Sequence, residues 1–216
     1  MSAALELGVL ASGSGSNLQA LLDACANGSL NARVAAVVCN VPGARALERA
    51  KAAQVPALLL PHQGYASREE YDEVLVETLR GHGVSLVCLA GYMRLVSPVL
   101  LCAFQDRILN IHPSLLPSFP GLHAHRQALA AGVRVSGCTV HIVDEGCDTG
   151  PILIQAAVPV LDGDDEASLA ARILQEEHRC YPRAVQLVAQ GRVRVALRDG
   201  KKRAVIRAVI DDEGRP

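Results

Sequence analysis

Asn110-Ile111-His112-Pro113 closes a short run of Ile and Leu, so two polar side chains stand at the end of an apolar segment. Along an extended strand side chains alternate sides, which puts Asn110 and His112 on one face and Ile111 on the other. Histidine carries a proton near neutral pH, and an asparagine amide is an uncharged donor able to hold a developing oxyanion. The pair suits transfer of an acyl-type group through a tetrahedral intermediate. A lone strand-end histidine also serves as a purely structural hydrogen-bonder. Two neighbours favour chemistry here. Pro113-Ser-Leu-Leu-Pro117-Ser-Phe-Pro120-Gly121 reads as a rigid irregular loop, and the acidic stretch 144–150 offers Asp148 to orient or charge the imidazole.

Ser12-Gly13-Ser14-Gly15-Ser16-Asn17 follows the first apolar run and opens a helical pattern. Glycines let backbone N–H groups converge on an anion, and the positive end of a helix adds attraction. A dinucleotide fits less well, because Leu18 fills the third glycine position and the second apolar run ends in Asn40 rather than an acid. The loop favours a phosphate monoester; a tight turn with Ser or Asn capping the helix is the plain alternative. Glu177 interrupts the helical stripe Leu169, Ile173, Cys180, Ala184. Either it has a partner or ligand, or the stripe is only partly buried and the carboxylate reaches water. His123, His125 and His141 lack carboxylates or cysteines at ligand spacing, so no metal is expected. His125 and His141 read instead as pocket-wall or hydrogen-bonding residues.

The elements that must position these groups are short apolar runs at 7–11, 34–39, 57–60, 84–90 and 108–111. Runs that are apolar throughout suit strands buried on both faces. Helical patterns at 17–26, 44–53, 67–81 and 97–104 separate them. This alternation predicts an α/β fold with a doubly wound, mostly parallel sheet and helices on both faces. Beyond residue 130 the pattern turns antiparallel: strands at 137–143 and 151–160, a helix from about Ala167, then a hairpin of 192–198 and 203–210 around Asp199-Gly200. Pro182 predicts a kink or break in that helix. The last six residues read as frayed.

The chain has 216 residues, 50% of them apolar and 20% charged, with 21 basic against 22 acidic side chains. Its length and apolar content predict one domain, 1–216, and exclude a disordered chain. A net charge of −1 gives no long-range pull on nucleic acid or an anionic membrane. No basic region precedes an apolar one at the start, and Glu6 falls where a leader would be apolar. Seven cysteines form no C-x-x-C pair, which predicts reduced thiols and a cytoplasmic protein.

The stretches 13–22, Cys88-Leu-Ala-Gly-Tyr-Met-Arg-Leu95, Leu109-Asn-Ile-His-Pro-Ser-Leu-Leu-Pro117, 137–141 and 148–155 together resemble the folate-dependent phosphoribosylglycinamide formyltransferases. The similarity runs from about residue 7 to 195. It implies a Rossmann-like formyltransferase fold, with a phosphate-binding half at about 1–105 and a folate and catalytic half at about 106–216. It also implies transfer of a formyl group from 10-formyltetrahydrofolate, a co-substrate, to the amine of 5'-phosphoribosylglycinamide in de novo purine synthesis. By the resemblance, Gly15, Ser16 and Asn17 hold the ribonucleotide phosphate and Glu177 its ribose or amine end. The backbone of Met93, Arg94, Leu95 and Val96, with Asp144, Glu145, Gly146, Cys147 and Asp148, would hold the pterin, and Arg68 would face the glutamate tail. Asn110 would stabilise the oxyanion, His112 move the proton, and Asp148 align or charge that imidazole. A cis Leu116–Pro117 bond is implied too. Leu174 departs from relatives with a polar residue there, and residues past 198 match no part of the pattern.

Methionyl-tRNA formyltransferase and formyltetrahydrofolate hydrolase share the Asn-x-His core. The first is expected to need a further RNA-binding domain, the second a regulatory one, and neither has room in 216 residues. A non-catalytic phosphosugar-binding module is the remaining alternative, and it leaves Asn110, His112 and Asp148 unexplained. A monomer or homodimer is expected.

Overall fold

The computed structural model describes residues 4–207, so the expected strand end at 208–210 and the expected fraying of the last six residues lie outside the described residues. Seven strands form one sheet: β1 Leu5–Ala11, β2 Ala32–Cys39, β3 Ala57–Leu59, β4 Leu86–Leu89, β5 Ile108–His112, β6 Val135–Ile142 and β7 Ile152–Pro159. Their order is β3-β2-β1-β4-β5-β6-β7. The first five run parallel; β6 and β7 are antiparallel additions.

The continuous apolar runs arise because both faces are covered. Leu7 and Val9 of β1 pack into one core with α1 (Ser16–Ala26), α2 (Arg45–Ala52) and α6 (Glu166–Ala189). Leu10 points into a second core under α3 (Arg68–Gly81) and α4 (Pro98–Ala103). The same alternation sends Leu109 and Ile111 of β5 toward the first core and Ile108 toward the second. Asn110 and His112 thus share the side opposite Ile111, as the alternation predicts.

A sixth helix, α5 (Ala124–Ala130), is not expected from the sequence; its N-cap is His123 in a left-handed conformation (φ 59°). The predicted break at Pro182 does not occur, and α6 is one helix of 24 residues. Proline deletes one donor, but buried Tyr181, Ala184 and Val185 hold both sides of it against the sheet. The Tyr181 hydroxyl lies 3.0 Å from the carbonyls of both Leu89 and Leu109. Asp165 and Ser168 form a reciprocal capping box at the start of α6. The predicted hairpin is present as β8 (Val193–Arg198) and β9 (Lys201–Ile206), closed by Asp199 and Gly200, both at positive φ. Its second strand begins two residues earlier than expected, because a two-residue turn needs no longer loop.

No described helix is long and apolar enough to cross a membrane. All seven cysteines are free thiols; Cys39, Cys88, Cys138 and Cys180 are buried, whereas Cys102 and Cys147 are exposed.

Candidate active site

The strand order reverses between β1 and β4, so the segments leaving their carboxyl ends diverge and open a crevice, the place where ligands bind open α/β sheets. A cavity of about 230 Å³ occupies it, lined by residues 12–17 together with Ala90, Gly91 and Met93. The glycine loop forms its floor. Gly15 is the N-cap of α1 at φ 69°, and no side chain caps the helix. The capping alternative therefore fails, and the first N–H groups of α1 lack a side-chain acceptor. A Cβ on Gly15 would sit 2.8 Å from the Ala46 Cα, so glycine is required twice over, by conformation and by space.

The Ser12 and Asn17 side chains tie the loop to its neighbours. Ser12 Oγ donates to Asn40 Oδ1 (2.7 Å) and accepts from the Met93 N–H (2.9 Å), tying the β1 and β4 exits together. Asn40, standing where a dinucleotide site would place an acid, is thus a loop anchor. From α2, the Ala46 N–H donates to the Gly13 carbonyl (3.2 Å) and Arg49 Nε to the Ser14 carbonyl (2.9 Å). Asn17 Nδ2 donates to Glu177 Oε2 at 2.7 Å, and Asn17 Oδ1 is buried with no partner. Glu177 is therefore buried and paired, which excludes the solvent-reaching alternative. Burial pushes its carboxyl above the usual range, against the opposing effect of the Asn17 hydrogen bond.

At the end of β5 the structure brings Asn110, His112 and Asp148 together. Asn110 pairs in register with His141 of β6, so their side chains sit side by side, with Asn110 Nδ2 3.2 Å from His141 Nε2. The same amide nitrogen donates to Asp148 Oδ1 (3.3 Å). The other carboxylate oxygen, Oδ2, lies 3.3 Å from His112 Nδ1 and accepts from the Gly121 N–H (2.8 Å). His112 Nε2 is 2.9 Å from the Phe119 carbonyl. Acceptors thus flank both nitrogens of His112.

His141 differs. Its Nδ1 lies 3.1 Å from the Ile142 carbonyl, and its Nε2 lies 3.2 Å from Asn110 Nδ2 and 3.5 Å from Asp148 Oδ1. Asp148 itself adopts φ 56°, a left-handed conformation uncommon for a non-glycine residue. Burial alone would raise its carboxyl. Hydrogen bonds involving His141 and the Gly121 N–H, with the charges of His112 and His141, outweigh that and hold it down at about 2. Burial lowers His125, against the opposing charge of Glu166.

The loop between β5 and α5 is stapled in place. Leu116–Pro117 is a cis peptide. The Leu116 N–H donates to Thr139 Oγ1 (3.0 Å), and Gln155 Nε2 donates to the Leu116 carbonyl (2.9 Å). This loop delivers two groups the sequence reading missed as individuals, the Phe119 carbonyl and the Gly121 N–H. Its proline density marked the segment, but backbone groups leave no residue-type signal. Asp144 organises the 144–150 loop, accepting from the Gly146 N–H (3.2 Å) and the Thr149 hydroxyl (2.7 Å). Gly150 lies so close to the Ile142 carbonyl that a Cβ there would overlap it. Glu145 and Cys147 are exposed on that loop.

The segment 91–96 leaves β4, the strand beside β5, and exposes Met93 (65%) and Leu95 (60%), while Val96 packs inward. Arg94 stacks over the Tyr71 ring at 4.8 Å. Asp72 accepts from the Ser97 N–H (2.6 Å), and exposed Arg68 opens α3 one turn before it. Among the described residues no group of three or more His, Cys, Asp or Glu could hold a metal ion.

A family profile described as formyl transferase matches residues 6–185. The phosphoribosylglycinamide formyltransferase of Escherichia coli (strain K12) is 43% identical over 191 residues, 88% of this chain and 90% of that protein. The trifunctional purine biosynthetic protein adenosine-3 of Drosophila melanogaster is 50% identical over 188 residues, 86% of this chain; the chain spans only 14% of that longer protein. A crystal structure of glycinamide ribonucleotide transformylase 1 from Symbiobacterium toebii superposes with a TM-score of 0.92, at 53% identity and 96% coverage of both chains.

Proposed function

The chain belongs to the formyl transferase family, and on that premise we propose that it transfers the formyl group of 10-formyltetrahydrofolate to the amine of 5'-phosphoribosylglycinamide in purine biosynthesis. The observation that carries the reading is Asp148, which gathers Asn110, His112 and His141 at the strand end beside an uncapped glycine loop. The relatives named above act in the same chemistry.

Gly15, Ser16 and Asn17 take the phosphate through backbone N–H groups and the helix terminus, and Glu177 faces the sugar or amine end beside Asn17. The exposed apolar edge of Met93 and Leu95 with the backbone of 93–96 and 144–148 suits a flat heteroaromatic ring. Arg68 suits the carboxylates of its tail. The bound donor supplies the formyl carbon, and this chain does the rest. Asn110 donates to the oxygen as it gains charge, exchanging its 3.3 Å contact to Asp148 for the stronger acceptor. His112 carries the proton from the attacking amine toward the departing nitrogen. Asp148, held ionised well below neutral pH, orients the imidazole through its 3.3 Å contact to Nδ1.

In this reading the phosphate site comes from residues 1–105 and the folate and catalytic groups from 106–216 of one domain. The protein works in the cytoplasm on small molecules, as a monomer or homodimer, without nucleic acid, membrane or metal. Purified chain mixed with the ribonucleotide and a formyl-folate whose absorbance changes on deformylation is expected to show turnover. Ribonucleotide binding without absorbance change would replace the reading with a phosphosugar-binding module.

A further inference from the structure

A second cavity, of about 730 Å³, is a groove between α1 and α6. Its volume is that of a small-molecule site and about three times that of the crevice. Arg49, Arg179, Arg183 and Arg192 line it against one carboxylate, Asp23. Arg179 pairs with Glu176 at 2.8 Å, but among the described residues Arg49, Arg183 and Arg192 form no ion pair. Two of the three are pre-positioned. Arg49 donates to the Ser14 carbonyl and to Gln19 Oε1, and Arg192 to the Arg207 carbonyl and Gln190 Oε1. Guanidinium groups held in place with spare donors are suited to phosphate oxygens. The wall is not uniformly polar, since Ala20, Ala24, Ile154, Pro182 and Leu187 also line it.

We propose that this groove binds a nucleoside polyphosphate, its phosphates on the three unpaired arginines and its base against the apolar wall. The site is separate from the crevice and does not rest on the formyl-transfer reading. It is nonetheless coupled to the crevice: Ser16 lines both cavities, and Arg49 holds the Ser14 carbonyl from the groove side. His178, another lining residue, is held neutral by burial and then by the Arg49 charge, so it adds no repulsive partner to those arginines.

The test is calorimetric titration of the full chain with adenosine triphosphate, and separately with inorganic tripolyphosphate, both without added metal. Saturable binding of the nucleotide is expected, tighter than that of tripolyphosphate. R183E/R192E is expected to weaken it about tenfold or more while formyl-transfer turnover stays within about twofold of wild type. N17A is expected to leave nucleotide affinity unchanged. If R183E/R192E loses its unfolding transition, R183Q/R192Q takes its place. No saturable binding would overturn the proposal. So would loss of binding in N17A with retention in R183E/R192E, which puts the phosphates in the crevice. Equal affinity for tripolyphosphate would overturn the role of the base.

Discussion

The Asn17 amide donates to the Glu177 carboxylate over 2.7 Å, joining side chains 160 positions apart in the chain. Through it the first turn of α1 is fixed to the middle of α6. Removing either partner leaves the other buried and unsatisfied, so the single changes and the double change should not add. A double-mutant cycle of Asn17→Ala and Glu177→Ala, read by denaturant unfolding, is expected to give a coupling of about 1–3 kcal/mol. A coupling near zero would mean that the two side chains are held independently.

The two perturbed carboxyls give opposite pH signatures. Asp148 has its folded pKa depressed to about 2. Its contribution to stability is therefore present above its unfolded value of about 4 and is lost as pH falls from there through about 2. The stability gap between wild type and Asp148→Asn should close over that window. Glu177 is raised, so the folded state holds its proton longer than the unfolded chain does. Its stabilising effect is full below the unfolded value of about 4.3 and falls as pH rises through the folded one. Glu177→Gln, which keeps an acceptor for Asn17, should gain on wild type as pH rises. Unfolding midpoints of the three proteins across pH measure both trends.

His112→Ala is expected to lower turnover by about 10²–10⁴-fold, the range for a positioned proton carrier. Circular dichroism should show the fold intact, because β5 is held by β4 and β6 on either side. Full activity in this variant would remove the imidazole from the chemistry.

The two loop glycines should separate cleanly. Gly13→Ala places a Cβ in open space, whereas Gly15→Ala meets the Ala46 Cα at 2.8 Å from a left-handed backbone. Gly15→Ala is expected to cost about 1–3 kcal/mol of stability and to raise KM for the ribonucleotide. Gly13→Ala is expected to change stability far less. Thermal unfolding and initial rates on both variants decide it.

The sheet was legible because strands covered on both faces show nearly continuous apolar runs, as at 34–39 in β2 and 86–89 in β4. The polar pair at 110 and 112 was legible from alternation alone. What escaped depends on encounters between distant segments. His141 meets Asn110 only through antiparallel register, Arg49 reaches the glycine loop only because α2 packs under Gly15, and Glu177 finds Asn17 only when α6 crosses α1. Pro182 does not break α6 for the same reason: local chemistry allowed a break, and burial on both sides of it prevailed.

The β8–β9 hairpin concentrates charge. Residues 192–207 hold seven of the 21 basic side chains against the single carboxylate of Asp199, so this ribbon carries six positive charges and the rest of the chain seven negative. A molecule nearly neutral in sum thus carries a concentrated positive segment along its chain. It should be retained by cation-exchange media at pH values above its isoelectric point of about 6.6, and its approach to a charged surface should be oriented, hairpin first, rather than random.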